Sequence, residues 1–154
     1  MFKEKIDLIR EVFPNAGLTT DIIVGFPGET EENHKETMDF VKEIKFAKTH
    51  LFKYSQRDGT RAAAMKGQIN GNIKKDRLKD LEAIENINRE QFLENQIGKV
   101  LAVLIESKSD LEGYSGGYST NYLKVNVKEH IPANTIIDVE ISEIRDGELV
   151  GKRI

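Results

Sequence analysis

The sequence predicts an α/β region followed by a small all-β domain. Helical and strand patterns alternate up to about residue 95, which is typical of βα units that build a parallel sheet. From Gly98 onwards the pattern changes to short apolar runs of strand period, separated by turn signals. We therefore expect two domains, in residues 1–95 and residues 98–154.

Composition narrows the class of protein. The 154 residues are 38% hydrophobic and 32% charged, carry a net charge of −3 and include no cysteine. No apolar run approaches the roughly 20 residues that a membrane span needs, and the first residues lack the features of a signal peptide. We therefore expect a cytoplasmic protein with no membrane partner. Because iron–sulfur clusters need thiolates, the chain cannot ligate one by itself.

The α/β region contains three predicted helices and two strands. The first helix, at residues 2–13, has an apolar stripe of Phe2, Ile6, Ile9 and Phe13. The β-branched run Ile22–Val24 is typical of a strand buried on both faces of a parallel sheet. Thr30 is the expected N-cap of the second helix, whose apolar face is Met38, Val41 and Ile44. A strand at residues 48–54, a polar loop and a long helix at residues 74–96 follow, the last with a stripe of Leu78, Leu81, Ile84 and Ile87.

The all-β domain is predicted to contain four or five short strands, which suggests a small antiparallel barrel of the OB-like kind. The clearest strands lie at residues 100–105, 122–127, 137–141 and 149–154. Asp146-Gly147 is a hairpin turn signal before the last of them.

The first candidate site is the loop Gly25-Phe26-Pro27-Gly28-Glu29, which follows the carboxyl end of a predicted parallel strand. Ligands of α/β proteins gather at that end, and glycine lets the backbone approach a ligand closely. A tight βα turn without a ligand has the same pattern, so both interpretations stay open.

The second candidate site is the run from Tyr54 to Met65, which follows the next strand. Arg57 can grip a carboxylate or phosphate with two hydrogen bonds, and Ser55 and Thr60 supply hydroxyls. A solvated loop with an Arg57–Asp58 surface pair is the simpler interpretation.

The third candidate site is the segment from Gly113 to Val125, where three tyrosines alternate with Gly, Asn and Lys. Aromatic faces stack on unpaired bases, for about 1–3 kcal/mol each. Tyrosines that pack cross-strand in a hairpin are the alternative. Residues 98–154 contain seven Lys and Arg against nine Asp and Glu, a net charge of −2. Phosphate binding would therefore be confined to a patch such as Lys124, Lys152 and Arg153.

The three histidines do not have the spacing of a metal site, so no metal is expected. His34 lies among charged residues and is expected to be solvated, His50 can face a barrel interior, and His130 is expected in a loop.

These segments, in this order, resemble the radical-SAM methylthiotransferases, which include the MiaB/MtaB-like tRNA-modifying enzymes. The resemblance covers nearly all of the chain. It is carried by Thr20–Thr30, by the Tyr-Ser-x-Arg-x-Gly-Thr-x-Ala-Ala-x-Met run at 54–65, by Gln68, and by the Asn-Tyr-Leu-Lys-Val strand at 121–125. The branch it resembles most methylthiolates N6-threonylcarbamoyladenosine next to the anticodon of tRNA.

The resemblance implies a fold and a set of roles. Residues 1–95 would be the last part of a radical-SAM, TIM-like βα barrel, and residues 98–154 a TRAM domain that binds tRNA. The residues along S-adenosyl-L-methionine (SAM) would be Gly25, Phe26, Pro27, Gly28 and Glu29. The residues at the barrel mouth, near SAM or the target nucleotide, would be Ser55, Arg57 and Thr60. The residues that face RNA would be Tyr118, Asn121, Tyr122 and Lys124. In the family reaction SAM is reduced at a 4Fe-4S cluster, and the resulting radical removes hydrogen from the adenine ring before a methylthio group is installed.

The sequence departs from this family in ways that limit its activity. It has neither the Cys-x-x-x-Cys-x-x-Cys motif nor the N-terminal domain that carries a second cluster, and Lys53 stands where proline is expected. The resemblance therefore implies an inactive C-terminal fragment with no catalytic residue of its own. Its expected partners are tRNA and the missing N-terminal part. A partial barrel leaves sheet edges uncovered, so self-association is expected.

Two other functions are compatible with the same residues. One is a non-catalytic TRAM-type RNA-binding module. The other is a methylthiotransferase that acts on isopentenyl-adenosine tRNA or on a ribosomal protein. The run from Arg57 to Met65 favours the threonylcarbamoyl branch.

Overall fold

The computed structural model describes residues 2–109 and 111–154. Contacts divide this chain into two units. The first comprises Leu18–Arg89 and the residues up to Pro14, and the second comprises Asn15–Gly17 and Glu90–Ile154. No helix in the described ranges is both long enough and apolar enough to cross a membrane.

The first unit is built from βα elements, in the predicted order. Its elements are α1 (Phe2–Val12), β1 (Thr19–Val24), α2 (Glu31–Ile44), β2 (Lys48–Lys53), a 3₁₀ turn (Ala62–Ala64) and α3 (Gly71–Glu94), which continues into the second unit. Strands β1 and β2 are parallel neighbours, with Ile23 opposite Phe52. The predicted parallel pairing is confirmed.

The predicted N-cap of α2 is confirmed. The Thr30 hydroxyl accepts the Asn33 backbone N–H at 3.2 Å, and the Asn33 side chain accepts the Thr30 backbone N–H at 3.1 Å. Two backbone donors that the first helical turn leaves unpaired are thus satisfied, which stabilises a helix by about 1 kcal/mol. The cap fixes the point where the Gly25–Glu29 loop ends and α2 begins.

The prediction that β1 is buried on both faces is wrong. Val24 is 1% exposed, but Ile23 is 55% exposed. The core of this unit lies on one face of the sheet and contains Val24, Val41, Ile44, Phe46 and Leu81. Because side chains alternate between the faces of a strand, Ile23 points away from that core.

The predicted apolar stripe of α3 is correct for Leu81 and Ile84, which are buried, and wrong for Ile87, which is 54% exposed. An α-helix has 3.6 residues per turn, so a stripe of spacing three drifts, and by Ile87 it has turned about half a revolution from Leu78. Asn88 is buried instead, and its side-chain amide donates to the Val41 carbonyl at 3.0 Å. In α1, Ile6 is buried and the rest of the predicted stripe is exposed.

The second unit is a closed five-stranded barrel. Its strands are β3 (Val100–Lys108), β4 (Ser115–Ser119), β5 (Lys124–Val127), β6 (Thr135–Arg145) and β7 (Glu148–Arg153), in the order β3-β4-β5-β7-β6. β6 pairs with β3 and so closes the ring. The β5–β7 pair is parallel, which corrects the predicted all-antiparallel barrel. The parallel pair follows from closure: β6 must oppose β3, and β7 turns back from β6 into the direction of β5.

Strand β4 was not predicted. Its sequence, Ser-Gly-Gly-Tyr-Ser, has no apolar alternation, and the strand expected from residue 122 begins only at Lys124. Gly117 is needed where β4 pairs with β3, because a Cβ there would lie 2.1 Å from the Leu104 carbonyl oxygen. The feature that marks this strand is a glycine where the backbone of β3 comes close. An analysis of apolar periodicity does not detect such a feature.

The alternation predicted for β6 is confirmed. Ile137, Val139 and Ile141 are buried, whereas the residues between them face solvent. The predicted Asp146-Gly147 turn is also confirmed: both residues have positive φ, 52° and 75°, as a two-residue hairpin turn requires.

Candidate functional site

The Gly25–Glu29 loop is organised by its own glutamate. The Glu29 carboxylate accepts the backbone N–H of Gly25 and, at 3.1 Å, that of Phe26. The Glu29 backbone N–H donates to the Phe26 carbonyl at 3.0 Å. The Glu29 side chain is 15% exposed. Its carboxylate is therefore used inside the loop.

The two glycines of this loop have different surroundings. A Cβ on Gly25 would lie 2.4 Å from Cγ of Lys74 in α3, so a side chain from the same unit fills the space that this glycine leaves. Gly28 has open space around its Cα, and its N–H donates to the Gly67 carbonyl at 2.9 Å. We expected a ligand to approach the backbone at Gly25, but the aliphatic part of the Lys74 side chain occupies that space.

An open groove of about 410 Å³ lies where the two strands end. Ile23 and Phe52 supply its apolar wall, and its polar lining includes all three residues predicted for the barrel mouth: Ser55, Arg57 and Thr60. Tyr54 also lines the groove, and Phe26 packs edge-on against the Tyr54 ring at 5.3 Å between centroids. The two candidate loops thus meet through Phe26 and Tyr54.

The polar groups of this groove are partly committed to the fold. The Thr60 hydroxyl donates to the Arg57 carbonyl at 2.8 Å and accepts the Ala63 N–H at 3.2 Å, so it shapes the loop. The Arg57 guanidinium makes no hydrogen bond or ion pair with any side chain in the described ranges, Asp58 included. The Tyr54 hydroxyl is buried without a partner among those same residues. An apolar wall and a cation suit a ligand that combines an apolar ring with an anionic group.

The prediction that His34 is solvated is wrong. The side chain is 1% exposed, and its Nε2 lies 3.2 Å from Asp80 Oδ2. The partner is 46 residues away in the sequence, which is why local charge composition was misleading. His50 and His130 are exposed. Within residues 2–109 and 111–154, no three or more His, Asp or Glu side chains are grouped so as to hold a metal ion.

The barrel carries a second groove, of about 370 Å³, on its outer surface. Tyr118 and Tyr122 line it and are 44% and 87% exposed. Leu104 of β3 lies opposite Tyr118 of the neighbouring strand β4 and opposite Ile136 of the neighbouring strand β6. The Leu104 and Ile136 side chains are both exposed. The tyrosines are therefore not paired with each other across strands. The groove joins two aromatic rings to an aliphatic row.

The other two predicted RNA contacts are placed differently. Asn121 is buried: its side-chain oxygen accepts the Ser119 hydroxyl at 2.6 Å, and its amide donates to Gln96 at 3.3 Å and to the Asn15 carbonyl at 3.2 Å. Asn121 therefore fixes the turn that carries Tyr122 and does not face solvent. Lys124 Nζ lies 2.8 Å from Glu148.

The predicted basic patch is largely neutralised. Besides the Lys124–Glu148 pair, Arg153 lies 3.3 Å from Glu129, and Lys152 is exposed. Glu106 lines the groove beside the tyrosines. The described residues that line this groove are mostly apolar or aromatic, and none of them is basic.

Comparison with known proteins relates the chain to enzymes that methylthiolate tRNA or a ribosomal protein. No family model matches the chain. The chain is 39% identical, over 99% of its length, to the tRNA-2-methylthio-N(6)-dimethylallyladenosine synthase of Bacillus subtilis (strain 168). It is 41% identical, over 96% of its length, to the ribosomal protein uS12 methylthiotransferase RimO of Alkaliphilus oremlandii. It is 37% identical, over 82% of its length, to the threonylcarbamoyladenosine tRNA methylthiotransferase MtaB of Bacillus subtilis.

The matched residues include both the βα unit and the closed five-stranded barrel. Across nearly its whole length this chain is a homologue of the methylthiotransferases, which confirms the resemblance predicted from the motifs. The chain covers 31%, 35% and 29% of these three relatives, about a third of their length. Their names specify three different substrates.

Proposed function

We propose that the chain is the C-terminal part of a radical-SAM tRNA methylthiotransferase, inactive by itself. The observation that carries this proposal is the similarity to methylthiotransferases over 96–99% of the chain, which includes both units. In this proposal residues 1–95 complete the catalytic barrel, and residues 98–154 form a TRAM domain that contacts the substrate RNA. The partners are tRNA and the remaining two thirds of the enzyme.

The first groove is the proposed place where this part of the enzyme touches SAM. Ile23 and Phe52 offer an apolar surface to the adenosyl moiety, with Phe26 beside the groove against Tyr54, and Arg57 offers its guanidinium to the carboxylate of the methionyl moiety. Bound SAM would supply the 5′-deoxyadenosyl radical. Cluster ligands must come from elsewhere in the enzyme, because this chain has no cysteine.

The second groove is the proposed RNA contact. Tyr118 and Tyr122 present aromatic faces to unpaired bases, a contact worth about 1–3 kcal/mol per base. Lys124 lies opposite Tyr118 on the next strand, but its charge is shared with Glu148. Binding would therefore depend more on stacking than on phosphate neutralisation. Asn121 contributes by holding the turn.

The proposed substrate is N6-threonylcarbamoyladenosine next to the anticodon. The run Tyr54-Ser-Gln-Arg57-Asp-Gly-Thr60 and its continuation to Met65 support this choice, because they follow the pattern of that branch. A basic ribosomal protein is the second candidate. It is favoured by the 41% identity to the uS12 methylthiotransferase and by the acidic Glu106 beside the barrel groove.

Chimeric enzymes test the proposal. The matching third of the Bacillus subtilis MtaB is replaced by this chain, and 2-methylthio-N6-threonylcarbamoyladenosine in total tRNA is measured by mass spectrometry in cells without their own enzyme. The expected result is restored modification, which Arg57→Met lowers. Matched chimeras are made with the dimethylallyladenosine synthase and with RimO. Modification restored in one of these two and absent in the MtaB chimera would refute the proposed substrate.

A further inference from the structure

Helix α3 carries three polar side chains spaced three residues apart, Lys74, Arg77 and Asp80. This spacing places them along one side of the helix. Each reaches a different segment of the first unit, and together we call them the polar stripe. None of them belongs to the loops that line the candidate site.

Lys74 joins the ends of the two strands. Its Nζ donates to the Tyr54 carbonyl at 3.0 Å and lies 5.1 Å from the centroid of the Tyr54 ring. Its aliphatic stem fills the space above Gly25. A single side chain thus contacts the first residue after β1 and the first residue after β2.

Arg77 holds the loop between β1 and α2. It is 6% exposed, and its Nη1 donates to the Glu29 carbonyl at 3.2 Å and lies 3.3 Å from the Glu29 carboxylate. Its Nη2 lies 3.3 Å from the Glu31 carboxylate. Because Glu29 in turn accepts the N–H groups of Gly25 and Phe26, the guanidinium acts on the loop backbone through that carboxylate.

Asp80 holds the first turns of α2. Its carboxylate lies 3.2 Å from Nε2 of His34, which is 1% exposed and follows the Thr30 cap by one turn. Arg77 and His34 are both buried, and each contacts a carboxylate of another segment, although Arg77 Nε and His34 Nδ1 make no hydrogen bond within the described residues. The polar stripe is therefore a built network.

We infer that Lys74, Arg77 and Asp80 are positioning residues that hold the Gly25–Glu29 loop and the Tyr54–Met65 loop in register with each other. Glu29 transmits this effect to the backbone of Gly25 and Phe26. The identity of the ligand that benefits rests on the proposed function, whereas the order of the loops is measurable without any ligand.

The first test compares the full chain with its Arg77→Met, Arg77→Lys, Lys75→Met and Lys79→Met variants. Lys75 and Lys79 are exposed neighbours on the same helix and serve as matched controls. Amide hydrogen exchange is followed by NMR at Gly25 and Phe26, with the buried Val41 of the same unit as internal reference.

In Arg77→Met, exchange at Gly25 and Phe26 should accelerate about tenfold or more, while Val41 is unchanged, because local opening is separable from global unfolding. Arg77→Lys should restore much of the protection, and the two control variants should match the unsubstituted chain. Equal acceleration at all three amides would reduce Arg77 to a stabiliser of the whole unit. No acceleration would overturn the positioning role outright.

The second test adds SAM as the probe and records chemical shifts of the same amides. If the unsubstituted chain binds SAM, Arg77→Met should raise the dissociation constant for SAM about tenfold. Unchanged SAM affinity in Arg77→Met, together with accelerated loop exchange, would refute SAM as the ligand that benefits from the loop order. If the unsubstituted chain does not bind SAM, the proposed ligand is refuted for this chain, and the exchange experiment alone decides the role of Arg77.

Discussion

Ile23 of β1 lies directly opposite Phe52 of β2, and the two side chains are 55% and 51% exposed. They form an apolar surface on the face of the sheet that has no core, and among residues 2–109 and 111–154 the strands β1 and β2 pair only with each other. Soluble proteins cover such surfaces and edges, or associate through them.

The chain should therefore self-associate in solution. Sedimentation velocity over a concentration series is expected to show an average mass that rises with concentration. Phe52→Asp should shift the chain towards monomer, since it places a charge in the contact. Ile87→Asp, at an equally exposed site on α3, should not. A monomer at every concentration would refute the prediction.

Tyr122 should contribute more to tRNA binding than any cation of the barrel. Tyr122→Ala is expected to weaken binding of the full chain by about 1–3 kcal/mol, whereas Tyr122→Phe keeps the ring and most of the affinity. Fluorescence anisotropy with labelled tRNA at two salt concentrations measures both effects. If tRNA affinity falls steeply with salt and Tyr122→Ala has the same affinity as the unsubstituted chain, phosphate contacts elsewhere dominate tRNA binding.

Asn121 should be a structural residue of the barrel. Asn121→Ala removes the side-chain amide that donates to the buried Gln96 oxygen and to the Asn15 carbonyl, so the free energy of unfolding should fall by about 1–3 kcal/mol. Urea denaturation followed by circular dichroism measures the change, with the exposed Thr120→Ala as control. If Asn121→Ala is as stable as the parent chain but loses tRNA binding, the residue contacts RNA after all.

Gly117 should tolerate no side chain. In Gly117→Ala the new Cβ would meet the Leu104 carbonyl, and separating β3 from β4 should cost about 3 kcal/mol or more. Thermal unfolding of the barrel is the measurement. Gly71→Ala is the control, because Gly71 begins α3 and has open space around it. Equal unfolding temperatures for the two variants would contradict the close approach of the β3 backbone to Gly117.

The sequence was sufficient wherever one element determines its own structure. The Thr30 cap, the alternation of β6 and the Asp146-Gly147 turn each depend on residues within four positions of one another, and each was predicted. The exposure of Ile23, the burial of His34 and the burial of Asn121 depend on what lies across the unit. Periodicity along the chain contains no information about these contacts.

The candidate sites show the same limit. Ser55, Arg57 and Thr60 were predicted as one group because they are close in the sequence. In the structure they line one groove. The polar stripe was missed, although its spacing of three in α3 was visible. Lys74, Arg77 and Asp80 resemble an ordinary solvated helix face until Glu29, Tyr54 and His34 are placed against them.

Tyr122 has a left-handed backbone conformation, with φ of 61°. A bulky residue in that region costs about 1–2 kcal/mol of stability, whereas glycine and asparagine adopt this conformation readily. The ring is 87% exposed, so packing returns almost none of this energy to the fold. The barrel thus gives up stability to hold one aromatic face in water. Tyr122→Gly should raise the unfolding temperature and abolish whatever that face recognises, a trade-off typical of residues kept for recognition.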